Sequence, residues 1–266
     1  STTQKYYLAN SYSVLPIMDP ISSATINTFP PRRSPVKSVA TVLPVSETTR
    51  GIIKRATGLD CSTSAELPEE LRLSGCDELV DVSALGQVAK LELEWCPALR
   101  DVSALGSVQH LRLCTCTSLR DVSALGGVET LYLTFCTRVS DVSALGAVTN
   151  LFLAGLPVRD VSALGAVPRL SLSHCTELVD VSALGTVKQL NLSHCTGVVN
   201  VSALGTVKQL NLSHCTGLTD VSALGAVKKL KLSGCSGLRD VSALGSVVDL
   251  DLSQCDGISD VRALGG

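Results

Sequence analysis

The sequence predicts a solenoid: a curved stack of about ten short coils, of α/β type but dominated by β structure. One parallel sheet of about ten short strands is expected on its inner side. Tight turns or 3₁₀ helices are expected on its outer side, and an extended N-terminal arm ahead of it. Three observations carry this. The hexapeptide Asp-Val-Ser-Ala-Leu-Gly, or a close variant, begins at Asp81, Asp101, Asp121, Asp141, Asp160, Asp180, Asn200, Asp220, Asp240 and Asp260. The step is 20 residues each time except one step of 19, from Asp141 to Asp160. An apolar series precedes each hexapeptide, as in Val88, Leu91, Leu93, Cys96 and Leu99. A fixed period in this range marks units that cannot bury an apolar face alone and bury it against the next copy.

The first element in chain order is not part of the repeat. Residues 1–50 contain no glycine and six of the ten prolines. Up to residue 55 the bases Lys5, Arg32, Arg33, Lys37, Arg50, Lys54 and Arg55 face only Asp19 and Glu47. Such a segment cannot build a core. It is expected to be an extended basic arm, with Lys5, Arg32, Arg33, Lys37 and Arg50 as its contacts to a partner, wrapping a wide surface and losing entropy on docking. Residues 51–70 are expected to cap the first coil, and residues 71–266 to form the solenoid.

Within a coil each position has a physical assignment. Leu91-Glu92-Leu93 alternates apolar and polar, which predicts a short strand with one buried face. Strands stacked at about 4.8 Å make a parallel sheet. The hexapeptide Asp accepts a bond from a backbone N–H two or three residues on and starts a tight helical turn. Asn200 caps equally well without charge, so the aspartate column reads as turn caps and not as a cation stripe. The glycine column, Gly86 through Gly265, is expected to supply positive φ where the chain turns back.

Eleven cysteines suggest a disulfide scaffold only until their spacing is read. Cys76, Cys96, Cys116, Cys136, Cys175, Cys195, Cys215, Cys235 and Cys255 fill one column, and Leu156 fills it in the short coil. An apolar stand-in implies a small buried thiol. Reduced core thiols imply a reducing, intracellular compartment. A straight column does not converge on a tetrahedral metal centre. The triplets beginning at Asn191, Asn200 and Asn211 match a glycan acceptor, but they follow from the repeat, and the reduced thiols argue against that compartment.

The pattern V-x-x-L-x-L-x-x-C-x-x-L resembles the leucine-rich repeat, with Cys where that family often has Asn. The hexapeptide is similar to the Asp-Ile-Ser-Pro-Leu turn of bacterial internalin-like repeats. Leu192-Ser193-His194-Cys195-Thr196-Gly197 followed by Val201-Ser202-Ala203-Leu204 is closer still to trypanosomatid leucine-rich repeat proteins. The resemblance covers about three quarters of the chain. It implies protein binding through a concave sheet. A 20-residue unit is short for the family and leaves little room for helix on the convex side.

Function is sought at outward positions, because inward ones are committed to the core. Every aromatic of the repeat region is expected there: Trp95, Tyr132, Phe135 and Phe152, with Tyr132 beside Phe152 in one column and Trp95 and Phe135 in another. An exposed aromatic cluster on a concave sheet is a candidate binding hot spot. His174, His194 and His214 form a ladder that reads as surface. Lys229 and Lys231 precede Asp249 and Asp251 in the same columns, and Arg72, Glu92 and Arg112 alternate, as cross-strand pairs.

The net charge of −2 favours neither nucleic acid nor an acidic partner. No apolar run approaches a bilayer span, and no secretory signal is recognisable. No nucleophile–base set and no phosphate-cradling glycine loop is present, so no enzyme, cofactor or metal is expected. The leading expectation is a non-enzymatic structural or cementing subunit of a large assembly. A free regulatory adaptor, such as a phosphatase regulator of the same fold, is the alternative. An RNA-contacting subunit is disfavoured because aromatics are not interleaved with the arm's arginines. The chain ends at Gly266 directly after a hexapeptide. Asp249, Asp251, Asp256 and Asp260 are expected to guard that edge or a neighbour to cover it, and end-to-end self-association is open to it.

Overall fold

The computed structural model describes residues 47–57 and 67–264. Lys5, Arg32, Arg33 and Lys37 of the expected arm, and Gly265 of the glycine column, lie outside the described residues. A helix α1 (Glu47–Thr57) comes first. Ten strands follow: β1 (Glu70–Ser74), β2 (Lys90–Glu94), β3 (His110–Cys114), β4 (Thr130–Thr134), β5 (Asn150–Ala154), β6 (Arg169–Ser171), β7 (Gln189–Asn191), β8 (Gln209–Asn211), β9 (Lys229–Lys231) and β10 (Asp249–Asp251). They form one sheet in sequence order, every neighbouring pair parallel. A 3₁₀ turn follows each strand, from Ser83–Gln87 to Arg262–Leu264. This is the leucine-rich solenoid the repeat predicts. Each coil is named below by its strand.

The core is a set of columns. In coil two Leu91, Leu93, Cys96, Leu99, Val102 and Leu105 are all buried, and the same positions are buried through most of the stack. Each fully buried leucine contributes about 1.5–3 kcal/mol relative to exposure. Leucine and valine serve because every coil must offer the same shape to both neighbours.

The hexapeptide Asp works as expected. Its Oδ1 accepts the N–H of the residue two on: Ser83 to Asp81 at 2.9 Å, Ser103 to Asp101 at 2.8 Å, Ser123 to Asp121 at 2.8 Å. Asn200 does the same for Ser202 at 3.0 Å. The bond holds the aspartate carboxyls, Asp101 and Asp141 among them, below the usual range.

The glycine column is a correction. Gly106 sits at φ −63, ψ −16, and Gly165 and Gly245 are similar, all in the right-handed region. Glycine is needed there for close approach. A Cβ built on Gly225 or on Gly245 would stand 2.5 Å from the carbonyl oxygen of Ala243 or Ala263 in the next coil. Positive φ falls instead on the residue before the Cys column: Gly75, Trp95, Thr115, Phe135, Gly155, His174, His194, His214, Gly234 and Gln254. The N–H there continues the ladder into the next coil, as from Trp95 to the carbonyl of Cys114 at 2.9 Å.

The thiols form a ladder of their own. The Sγ of Cys195 lies 3.0 Å from the carbonyl oxygen of Leu172, and that of Cys215 3.2 Å from that of Leu192. Every cysteine of the described residues is free. Burial pushes Cys175 and Cys235 up to about 11 and Cys215 up to about 12.

Helix α1 closes the first coil. Ile52 and Ile53 enter the core, and the Thr49 hydroxyl donates to the carbonyl of Asp81 at 2.8 Å. Glu47 in its first turn and Lys54 and Arg55 in its last suit the helix dipole. The helix crosses the boundary drawn at residue 51. Arg50, expected in the arm, is instead a half-buried residue of this helix.

Candidate partner-binding surface

The central outward column of the sheet runs Arg72, Glu92, Arg112, Tyr132, Phe152, Ser171, Asn191, Asn211, Lys231, Asp251. Parallel pairing in strict register places these residues side by side. Tyr132 and Phe152 stack with centroids 4.4 Å apart and planes 7° from parallel. The Arg112 guanidinium lies over the Tyr132 ring at 4.9 Å. Arg72 pairs with Glu92 at 2.9 Å. Burial raises the Glu92 carboxyl and the Tyr132 hydroxyl above their ordinary values. Two stacked rings with a cation on one face therefore stand half-buried in a column whose later members are small or polar.

Trp95 and Phe135 are not with them. Each lies one residue past its strand, in the positive-φ column, on the edge made by the connections from strand to 3₁₀ turn. They remain 61% and 49% exposed. Four expected concave aromatics are thus two concave and two on the rim. A tryptophan and a phenylalanine do not advertise left-handed backbone. The available signal was glycine at the same position in Gly75, Gly155 and Gly234.

His174, His194 and His214 continue that rim column. Their rings stack at 4.2 and 4.5 Å, 8° and 15° from parallel. Burial, and then the neighbouring imidazoles, lower the basicity of His174 and His194. Cys114 is half-buried on the sheet, its Sγ 3.5 Å from the Thr115 hydroxyl. Among the described residues no group of three His, Cys, Asp or Glu could hold a metal, and no helix is long and apolar enough to cross a membrane.

The one short coil leaves a mark on the same edge. Coil five omits a residue between Leu156 and Val158, and a shallow groove of about 680 Å³ opens there, lined by Ser140, Asp141, Pro157, Arg159, Asp160 and Glu177 among others. Arg159 donates from Nε to Glu177 at 2.8 Å. Sequence reasoning singled out none of the edge arginines: Arg100, Arg120, Arg138 and Arg159 are all exposed on coils two to five.

No protein-family model and no curated protein sequence matches the chain. Among solved structures it is similar to an internalin (inlF) from Listeria monocytogenes, 16% identical over 82% of this chain and 92% of that one, with a TM-score of 0.37. An internalin C2 from the same species is 18% identical over 78% and 93%, with a TM-score of 0.44. The functional domain of InlJ from L. monocytogenes, which includes a cysteine ladder, is 17% identical over 72% of this chain, with a TM-score of 0.34. The chain spans 55% of that domain's length. These are likenesses of repeat architecture.

Proposed function

We propose that this leucine-rich repeat stack is a non-enzymatic protein-interaction scaffold, a structural or cementing subunit of a larger assembly, that grips a partner through the concave face of coils three to five. One observation carries the reading: the Arg112–Tyr132–Phe152 stack on the inner column. Aromatics and arginine are the residue types on which binding energy concentrates, and a concave setting excludes water around them. The buried, unbridged thiol column supports assembly in a reducing compartment.

The test is quantitative crosslinking mass spectrometry in native extract, comparing the wild-type chain with Tyr132→Ala/Phe152→Ala. The rings point away from the core, so the double variant should keep its circular dichroism spectrum. Loss of about 2 kcal/mol at such a site weakens a contact roughly thirtyfold, and one set of crosslinks should vanish. An unchanged set removes the concave patch from the function. Elution of the wild-type chain as a free monomer with transient partners would favour an adaptor over an assembly subunit.

A further inference from the structure

The rim of the stack carries a second pattern. Arg100, Arg120, Arg159 and Arg239 each directly precede a hexapeptide Asp. Three residues before the hexapeptide of the following coil stand, in the same order, Ser118, Arg138, Glu177 and Gly257. Where that residue is glutamate, the arginine takes it: Arg159 to Glu177 at 2.8 Å. Where it is glycine, the arginine folds back on its own turn, as Arg239 does onto the carbonyls of Ser236 and Leu238 at 2.8 and 2.9 Å. For Arg100 and Arg120 that residue is a serine and another arginine. Among the described residues no hydrogen bond or ion pair occupies Arg100, Arg120 or Arg138. The fold thus displays, one coil further on, the carboxylate that these exposed guanidiniums lack. Trp95 and Phe135 sit exposed on the same edge of the same coils.

We infer that this edge, with Arg100, Arg120 and Arg138 beside Trp95 and Phe135, is a second docking surface that takes an acidic protein segment bearing apolar side chains. The guanidiniums receive its carboxylates as Arg159 receives Glu177, and the two rings receive its apolar side chains. Nucleic acid fits less well. Asp101, Asp121, Asp141 and Asp160 stand one column on and keep their charge near neutral pH. A continuous phosphate backbone meets that stripe everywhere, whereas separate carboxylates need touch only the arginines. The inference rests on the reading that the stack binds protein, but on none of its concave residues.

The experiment is fluorescence anisotropy on the whole chain. The probe is a labelled synthetic peptide of about 12 residues alternating glutamate and leucine, with a lysine–leucine peptide and a single-stranded oligouridylate run alongside. The wild type is expected to bind the glutamate peptide, less tightly as salt rises from about 50 to 300 mM. Arg100→Gln/Arg120→Gln should weaken binding at least about tenfold and Trp95→Ala about fivefold. Arg239→Gln and Tyr132→Ala/Phe152→Ala should leave it unchanged. No binding of the glutamate peptide up to about 1 mM, or equal binding by Arg100→Gln/Arg120→Gln, overturns the inference. So does oligouridylate binding that needs these two arginines. If the concave double variant loses the peptide and the rim variant keeps it, the rim surface falls and the concave reading stands.

Discussion

Replacing Gly225 by Ala tests what holds the coils at their spacing. On local grounds the change is favourable: a right-handed glycine gives way to a better turn former, a gain of about 0.5–1 kcal/mol. The stack reverses that sign. The added Cβ stands 2.5 Å from the carbonyl oxygen of Ala243, where ordinary contact begins at 3.4 Å. The coils must separate by nearly 1 Å, about a fifth of a strand spacing of about 4.8 Å. The obstacle is backbone and cannot swing away. Overpacking of this kind costs about 1–3 kcal/mol, so a net loss of about 1–2 kcal/mol is expected. With a urea slope of about 1–3 kcal/mol/M, the midpoint falls by roughly 0.5–1 M. Gly75→Ala is the contrasting variant. Gly75 has φ +65 and open space around its Cβ position. It should lose about 1–2 kcal/mol through left-handed strain alone, and Gly75→Asn should recover much of that. Urea unfolding followed by circular dichroism reads both. A Gly225→Ala variant as stable as the wild type would show that the glycine column does not set the spacing.

Four further outcomes are expected. With Cys61 replaced by Ser, a thiol reagent at pH 8 should label Cys114 alone in the native chain and all ten remaining thiols in urea. Fast native labelling of Cys195 or Cys215 would contradict their burial. The capping carboxyls titrate below their unfolded value of about 3.9, so their contribution is complete above pH 4 and lost as pH falls through the folded values. Asp121→Asn should match the wild-type melting temperature at pH 7 and lose less of it at pH 3, and an identical acid limb would deny the cap its charge. His174 and His194 are also lowered, so their contribution is present above about pH 6.5 and fades as pH drops further. His194→Gln, a residue that Gln254 shows to be accepted at φ 59, should flatten the melting curve between pH 7 and 5. Deleting residues 201–220 should leave a folded stack with both binding surfaces intact, because Val201–Gly217 repeats Val181–Gly197 letter for letter. Loss of either surface would tie it to the uniform coils.

What was legible in the sequence is what each coil repeats for the core. The leucines of the strand, the buried Cys column with its Leu156 stand-in and the Asp cap recur because one shape must fit its own copy, and recurrence is visible in letters. Three things were hidden. The glycine column invited the commonest explanation of glycine, a positive φ, when the reason was a carbonyl in the neighbouring coil, about 20 residues away in sequence and invisible to local reasoning. The left-handed column was hidden because Trp95, Thr115, Phe135 and Gln254 are residues that avoid that conformation, and its three histidines read as a surface ladder. An N–H bond to the next coil repeats from Gly75 to Gly234 and holds these residues there, while Gln254, in the last coil, adopts the same φ without it. Placing Trp95 and Phe135 on the sheet followed from that oversight. Strand length also changed unseen: β1 to β5 have five residues, β6 to β10 three. In the later coils the Cys N–H bonds back to the second strand leucine, Cys195 to Leu192 at 3.1 Å, and the resulting turn shortens the strand.

The left-handed column also explains why the exposed rings occur singly. A ring there leans toward the next coil. A Cβ on Gly155 would strike the Phe135 ring, and one on Gly234 the His214 ring. The following coil therefore either stacks a ring of its own or offers a small residue. Three successive histidines take the first course and shield one another to half-burial. Trp95 is followed by Thr115, and Phe135 by Gly155, so neither is covered. An aromatic run on this rim is self-satisfied, whereas an isolated aromatic is left for something else to cover. Both isolated rings fall on coils two and four, within the stretch that also bears the unpaired arginines and the concave stack. The near-identical coils beyond offer shielded histidines and, where the earlier coils carry arginines, the exposed Val179 and Val199. On the reading proposed above, recognition is concentrated in coils two to five of the ten, and the other coils extend the stack.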